Sequence, residues 1–190
     1  MLYGKVNPGG KLPVSFPRNE GQVPIYYNHK PTGRPCDVGS RYNSRHRDIL
    51  SCSPLYEFGY GLSYTTFQIS GVRLSGTTMD ARHGSIKVSA KVTNTGSVAG
   101  DEVAQLYIND PVASISQPVR RLRGFDRVTL QPGQSKTVSW TLDRDDVGFY
   151  DNRGRFVVEN GRINVWVGNS SSTSADKQTF AVTGGVAANR

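Results

Sequence analysis

A strict alternation of apolar and polar side chains in the middle of the sequence constrains the fold most strongly. Within 86–93 the apolar residues are Ile86, Val88, Ala90 and Val92, and each is followed by Lys, Ser or Thr. Successive side chains of a β-strand point to opposite faces, so this pattern predicts a strand with one buried and one solvated face. Such a strand needs partner strands and a second layer to cover its apolar face.

Further strand patterns lie on both sides of this segment. They are found at 66–74, 103–108, 122–130, 138–142, 156–158, 163–167 and 179–182. Turn sequences separate them, as at 131–134, where Pro132 and Gly133 fit a type II turn. About seven strands with such turns are typical of an immunoglobulin-like β-sandwich. The Cys–Trp–Cys signature of antibody domains is absent, so we predict a mainly β chain with a fibronectin type III-like sandwich at 63–190.

Residues 1–62 have a different character, because they are rich in Pro, Gly, Arg and Tyr and contain only short apolar stretches. Prolines at 13, 17, 24, 31, 35 and 54 interrupt every window in which a helix could form. A segment of this kind has little with which to build a core of its own. We therefore predict an extended Pro/Gly/Tyr-rich arm that precedes the sandwich and lies on a partner surface.

Aromatic side chains are concentrated in this arm, and a tyrosine ring offers a flat apolar body with a polar tip. They include Tyr26, Tyr27, Tyr42, Tyr56, Phe58 and Tyr60. Two functions suit them, namely a carbohydrate subsite on which a sugar stacks and a docking surface between domains. Docking is favoured, because these residues lie among prolines in a segment that needs a partner.

The formal charge of the chain is +8, but it is not concentrated in one patch. The densest basic stretch holds Arg120, Arg121 and Arg123, and neighbouring residues of a strand point to opposite faces. This favours an ordinary solvated strand over a nucleic-acid interface, so nucleic acid is not expected as a partner. No apolar run approaches the length of about 18 residues that a membrane-spanning helix needs, so a membrane is not expected either.

The chain has two cysteines, Cys36 and Cys52, and both lie in the arm. In an oxidising compartment they could form a disulfide that closes a loop of roughly 17 residues and contributes about 3 kcal/mol to stability. In a reducing compartment they would be two free thiols. The residues alone leave both alternatives open.

The sequence contains no motif for a catalytic nucleophile, a phosphate-binding loop or a zinc site. The acidic run Asp143, Asp145, Asp146 and Asp151 lacks the glycine and the terminal glutamate of a calcium-binding loop. Helix capping by Asp143, with solvated carboxylates beside it, is the favoured interpretation of this run. We therefore predict no catalytic, cofactor-binding or metal-binding residue, and we expect no cofactor.

Several longer motifs carry a resemblance to a known family. They include NPGGKLPVSFPR at 7–18, PLYEFGYGLSYTTF at 54–67, and the segments 21–35, 40–42, 92–96, 100–107 and 122–125. The motifs before residue 54 resemble the end of the α/β-sandwich domain of glycoside hydrolase family 3. The segment 54–67 resembles the junction into that family's fibronectin type III-like domain, and the remaining segments resemble the domain itself.

The resemblance implies a C-terminal fragment, with a remnant of the α/β-sandwich domain and a linker at residues 1–62. Family members use a retaining mechanism, which needs two carboxylates about 5 to 5.5 Å apart. Their nucleophile is an Asp of an N-terminal barrel, and their acid/base is a Glu upstream of the matching region. Neither Glu20 nor Glu57 is assigned that role, so the chain alone is not expected to be an enzyme.

The resemblance also implies a function, that of a non-catalytic C-terminal module that stabilises and packs against the catalytic domains of a β-glucosidase. These missing domains are the expected partners, with a homodimer and a carbohydrate polymer as further candidates. The expected location is periplasmic or secreted. The alternative is an accessory module that binds polysaccharide or lignin, and this alternative would be supported by an exposed planar row of Tyr107, Phe125, Phe149 and Tyr150.

Overall fold

Strands form most of the regular structure of the protein, which the computed structural model describes over residues 3–32 and 51–186. The strands are β1 (Phe67–Leu74), β2 (Thr78–Asp80), β3 (Ile86–Asn94), β4 (Gly100–Asn109), β5 (Arg121–Leu130), β6 (Ser135–Leu142), β7 (Phe149–Tyr150), β8 (Phe156–Val157), β9 (Gly161–Gly168) and β10 (Gln178–Thr183). A 3₁₀ turn at Glu20–Gln22 and a short helix, α1 (Arg144–Val147), are the helical elements of these residues. Within the same residues, no helix has the length and apolarity that crossing a lipid bilayer requires.

Two packed sheets make up the sandwich. One sheet has the strand order β1-β3-β6 and the other has β2-β10-β9-β4-β5, while β7 and β8 pair with each other. The pairing is antiparallel except between β2 and β10. The predicted fold class, a mainly β chain with a fibronectin type III-like sandwich, is confirmed.

The alternation at 86–93 produces the middle strand of the three-stranded sheet. Val88 and Val92 of β3 are completely buried, whereas Lys87 on the opposite face of the strand is exposed. Leu106 and Ile108 of β4, in the other sheet, are completely buried in the same hydrophobic core. Each sheet thus covers the apolar face of the other, and this burial is the main source of the stability of the sandwich.

Two local predictions are confirmed. In the turn between β5 and β6, Gly133 has a φ of 74° and the Gln134 N–H donates to the Gln131 carbonyl at 3.0 Å. At the start of α1, the Asp143 carboxylate accepts from the Asp145 N–H at 2.8 Å and caps the helix. The beginning of the acidic run is therefore explained by capping, as the sequence indicated.

Two short strands, β2 and β7, were not predicted. Only Met79 of the three residues of β2 is buried, and β7 consists of two residues. Strands this short contain too little of the alternating pattern to be recognised, and their position depends on pairing with β10 and β8. The domain boundary between residues 62 and 63 stays a prediction, with the first strand beginning at Phe67.

The substitution Leu106→Ala is expected to lower the free energy of unfolding by about 2–5 kcal/mol, because it leaves a cavity in the completely buried core. Urea unfolding followed by circular dichroism measures this change as a lower midpoint at an unchanged slope. The matched control is Val112→Ala, since Val112 is 55% exposed. Equal midpoints for the two variants would contradict the central position of Leu106.

Candidate interdomain interface

The arm lies on the outer face of β4, which points away from the core. Gln105 and Tyr107 of β4 occupy this face, and both are buried. Tyr27 of the arm meets the ring of Tyr107 edge-on with 5.9 Å between the centroids, and it stacks on Phe58 at 4.3 Å. The chain's own sandwich is therefore part of the surface on which the arm was predicted to lie.

The side chain of Gln105 connects three parts of the chain. Its Nε2 donates to the carbonyl of Gly59 at 3.2 Å and to that of Asn169 at 2.9 Å, and its Oε1 accepts from the Tyr107 hydroxyl at 2.5 Å. A glycine is needed at position 59, because φ is 80° and a Cβ there would lie 2.1 Å from the Gln105 Oε1. Burial raises the pKa of Tyr107, so its hydroxyl remains protonated and continues to donate.

A buried ion pair forms the second attachment of the arm. Nζ of Lys11 lies 2.6 Å from Oε1 of Glu102, and the two side chains are only 14% and 6% exposed. Asn7 adds neutral hydrogen bonds, since it donates to the Ala99 carbonyl at 3.0 Å and accepts from the Tyr64 N–H at 2.8 Å. These contacts could not be predicted from the sequence, because partners so far apart in the chain leave no local pattern.

The other side of the arm carries three aromatic residues, Phe16, Tyr56 and Tyr60, which we call the aromatic ladder. Phe16 and Tyr56 form an isolated antiparallel bridge and their rings meet edge-on at 6.5 Å, while Tyr56 stacks on Tyr60 at 5.0 Å. Phe16 is 44% exposed and Tyr56 is 41% exposed. Val14 is close to Phe16 in the chain, and the Leu55 N–H donates to the Phe16 carbonyl. Both Val14 and Leu55 are exposed as well. Apolar surface therefore remains after the arm has docked on the sandwich.

The aromatic residues predicted for docking divide between the two sides of the arm. The ring of Tyr27 contacts the chain's own sandwich, and that of Phe58 stacks on Tyr27. Tyr56 and Tyr60 belong to the aromatic ladder, and Tyr26 is exposed beside a cavity. Contact of these residues with a second domain stays a prediction.

Two predicted site residues, Tyr42 and Cys36, lie outside the residues that the structure describes. Cys52 is disulfide-bonded. The pairing of Cys36 with Cys52, which the sequence offers for an oxidising compartment, stays a prediction.

The basic stretch that leads into β5 is not the solvated strand that the sequence favoured. Arg120, Arg121 and Arg123 are each partly buried, and Nη1 of Arg120 and Nε of the other two are buried without a hydrogen-bond partner. Arg121 donates to the carbonyls of Val147 and Gly148 at 3.3 Å, at the end of α1. Burial lowers the pKa of Arg121 to about 10. Local alternation could not predict the burial of these arginines, because it is caused by the arm and α1, which come from distant parts of the chain.

The exposed row of four aromatic residues that would support polymer binding is not formed. Tyr107 and Phe149 are buried, and only Phe125 and Tyr150 are exposed. Among the residues that the structure describes, no group of three or more His, Cys, Asp or Glu side chains is arranged to hold a metal ion. Among the described residues, the contacts between the arm and the sandwich are therefore the best-supported candidate site.

Two family models match the chain, each over a different segment. Residues 1–64 match the glycosyl hydrolase family 3 C-terminal domain, and residues 102–171 match the fibronectin type III-like domain. The periplasmic beta-glucosidase of Salmonella typhimurium is 47% identical over 174 residues, which are 90% of this chain and 22% of that protein. A beta-xylosidase of Formosa agariphila is 42% identical over 184 residues, which are 96% of this chain and 24% of that protein.

Solved structures are similar over the same region. A mutant beta-glucosidase from Listeria innocua, in complex with laminaribiose, superposes with a TM-score of 0.89 at 41% identity. The superposition covers 96% of this chain and 25% of that one. This chain thus spans about a quarter of the length of the relatives it matches.

The substitution Glu102→Gln is expected to lower the free energy of unfolding by about 3–5 kcal/mol, because the buried ammonium of Lys11 loses its counter-charge. Denaturant unfolding measures the loss. The matched control is Arg127→Met, which breaks the exposed pair of Arg127 with Asp101, and such a pair contributes about 0–1 kcal/mol. If the loss were no larger than that of the control, the Lys11–Glu102 pair would not be the attachment described above.

Proposed function

The chain corresponds to the C-terminal region of glycosyl hydrolase family 3 proteins, and we propose that it is a non-catalytic module that packs against and stabilises the catalytic domains of a β-glucosidase. The order of the two matched segments, at 1–64 and 102–171, supports this proposal. So do the 47% identity to a periplasmic beta-glucosidase and the similarity to a beta-glucosidase structure. The reactions and substrates named for those proteins belong to much longer chains.

The observation that carries the proposal is the exposed aromatic ladder on an arm that is held from its other side. Gln105 and Glu102 of β4 hold the inner side of the arm, while Phe16 and Tyr56 remain exposed. Exposed apolar clusters are typical of interaction surfaces, and aromatic residues are enriched at the centres of interfaces. Because these contacts already hold the described part of the arm, docking of that part would cost less conformational entropy than docking of a free segment.

A periplasmic or secreted location is part of the proposal. It is supported by the name of the Salmonella typhimurium relative, a periplasmic beta-glucosidase. The disulfide at Cys52 also suits an oxidising compartment, since structural disulfides persist there and are rare in the cytosol.

The purified chain is expected to release no p-nitrophenol from p-nitrophenyl β-glucoside above a matched blank. The reason is that the proposal assigns both catalytic carboxylates to the domains that precede the matching region in the relatives. Turnover that disappears in Glu57→Gln or in Glu20→Gln would contradict the proposal, because the chain would then contain a catalytic group.

Docking can be tested with the Salmonella typhimurium relative, expressed without the C-terminal region that this chain matches. We expect the chain to bind that protein, and Phe16→Ser combined with Tyr56→Ser to weaken the binding at least tenfold, which is about 1.4 kcal/mol. Surface plasmon resonance measures the affinity, and recovery of glucosidase activity is a second readout.

The matched control for docking is Phe125→Ser, since Phe125 is an exposed aromatic residue of β5 that lies outside the arm. This variant should bind as the unchanged chain does. The role of the aromatic ladder would be refuted by an equal loss of affinity in the control, and the packing function by the absence of binding in the unchanged chain.

A further inference from the structure

A cavity of about 260 Å³ lies between the arm and the segment that leads into β5. Its lining includes Tyr26, His29 and Glu57 from the arm and Arg120 from the sandwich, with Ser171 and Ser172 beside them. Small-molecule sites are typically somewhat larger, about 300–1,000 Å³, so this cavity suits a ligand of the size of a single sugar. Described residues of the arm and of the sandwich both contribute to its lining.

Among the residues that line the cavity, Arg120 has unusual surroundings. Its guanidinium lies over the ring of Trp166, 4.4 Å from the centroid, and its Nη1 is buried without a hydrogen-bond partner. Among the described residues Arg120 has no ion pair. Burial lowers the pKa of Arg120, as expected for a cation that has lost water without gaining a counter-charge. A guanidinium matches the geometry of a carboxylate or a phosphate, and of the two a carboxylate brings less negative charge to a cavity that also holds Glu57.

The rest of the lining indicates what else the ligand carries. Ser171 and Ser172 can donate to and accept from hydroxyl groups, and Glu57 can accept from them. The ring of Tyr26, which is about half exposed, offers a flat apolar surface of the kind on which a sugar stacks. The carboxylate of Glu57 would repel a second carboxylate, so the acid group of the ligand is directed to Arg120.

We propose that this cavity binds an acidic sugar of the uronic acid class. Arg120 binds the carboxylate, the ring of Trp166 holds the guanidinium in place, and Glu57 and the serines bind the hydroxyl groups. The proposal does not depend on the packing function, because binding can be measured on this chain without any catalytic domain.

Isothermal titration calorimetry of the 190-residue chain with D-glucuronate tests the proposal, at constant ionic strength. We expect saturable binding, at least tenfold weaker binding of D-glucose, and weaker binding of acetate, which has the charge without the hydroxyl groups. Loss of a charge-assisted hydrogen bond in Arg120→Gln should weaken glucuronate binding by roughly tenfold to a hundredfold. Arg82→Gln is the matched control, because it removes the same charge from an exposed residue outside the cavity.

A second variant, Tyr26→Ala, keeps the test decisive if Arg120→Gln does not fold. Tyr26 is exposed, so its removal should leave thermal unfolding unchanged while glucuronate binding becomes severalfold weaker. The proposal is overturned by equal affinity for glucuronate and glucose, by equal affinity for glucuronate and acetate, or by the absence of saturable binding in the millimolar range. Binding that survives both Arg120→Gln and Tyr26→Ala would also overturn it, because the ligand would then lie elsewhere.

Discussion

The hydrogen bonds of Gln105 are the interaction on which the relation between arm and sandwich depends. A primary amide on the outer face of a central strand would be an ordinary surface group if water reached it. Here the arm covers it, and its Nε2 and Oε1 are both bonded within the chain. An unpartnered buried amide is costly, so the position of the arm and the pairing of Gln105 require each other. The nearby Lys11–Glu102 pair has the same character, because each buried charge needs the other.

The sequence predicted the sandwich well, because alternation records which face of a strand is buried. In β3 the alternation correctly indicated the buried face, because its apolar residues are those of the core. The capping role of Asp143 was also evident from the local sequence. The alternation does not indicate what covers the opposite face of a strand. The segment 103–108 was correctly predicted to be a strand, yet the reason why Gln105 lies within it became clear only from the arm. The same limit explains the error at Arg120, whose neighbours come from distant parts of the chain.

The arm has two sides with different chemistry. Toward the sandwich it presents Tyr27, which contacts Tyr107 of β4, with Phe58 stacked on Tyr27. On the other side, Phe16 and Tyr56 keep a large part of their surface exposed. The described part of the arm therefore uses one set of aromatic residues against the sandwich and leaves another set exposed.

Residues of the arm are synthesised before the parts of the sandwich that they contact. Asn7 is bonded to Ala99 and Tyr27 to Leu122, over 92 and 95 residues. Ribosomes add about 5–20 residues per second, so Tyr27 is made seconds before the strand that receives it. In that interval its ring and that of Phe58 have no folded sheet beside them, and they are open to chaperones and to neighbouring nascent chains. The strands made later therefore complete the folding of residues that were made earlier.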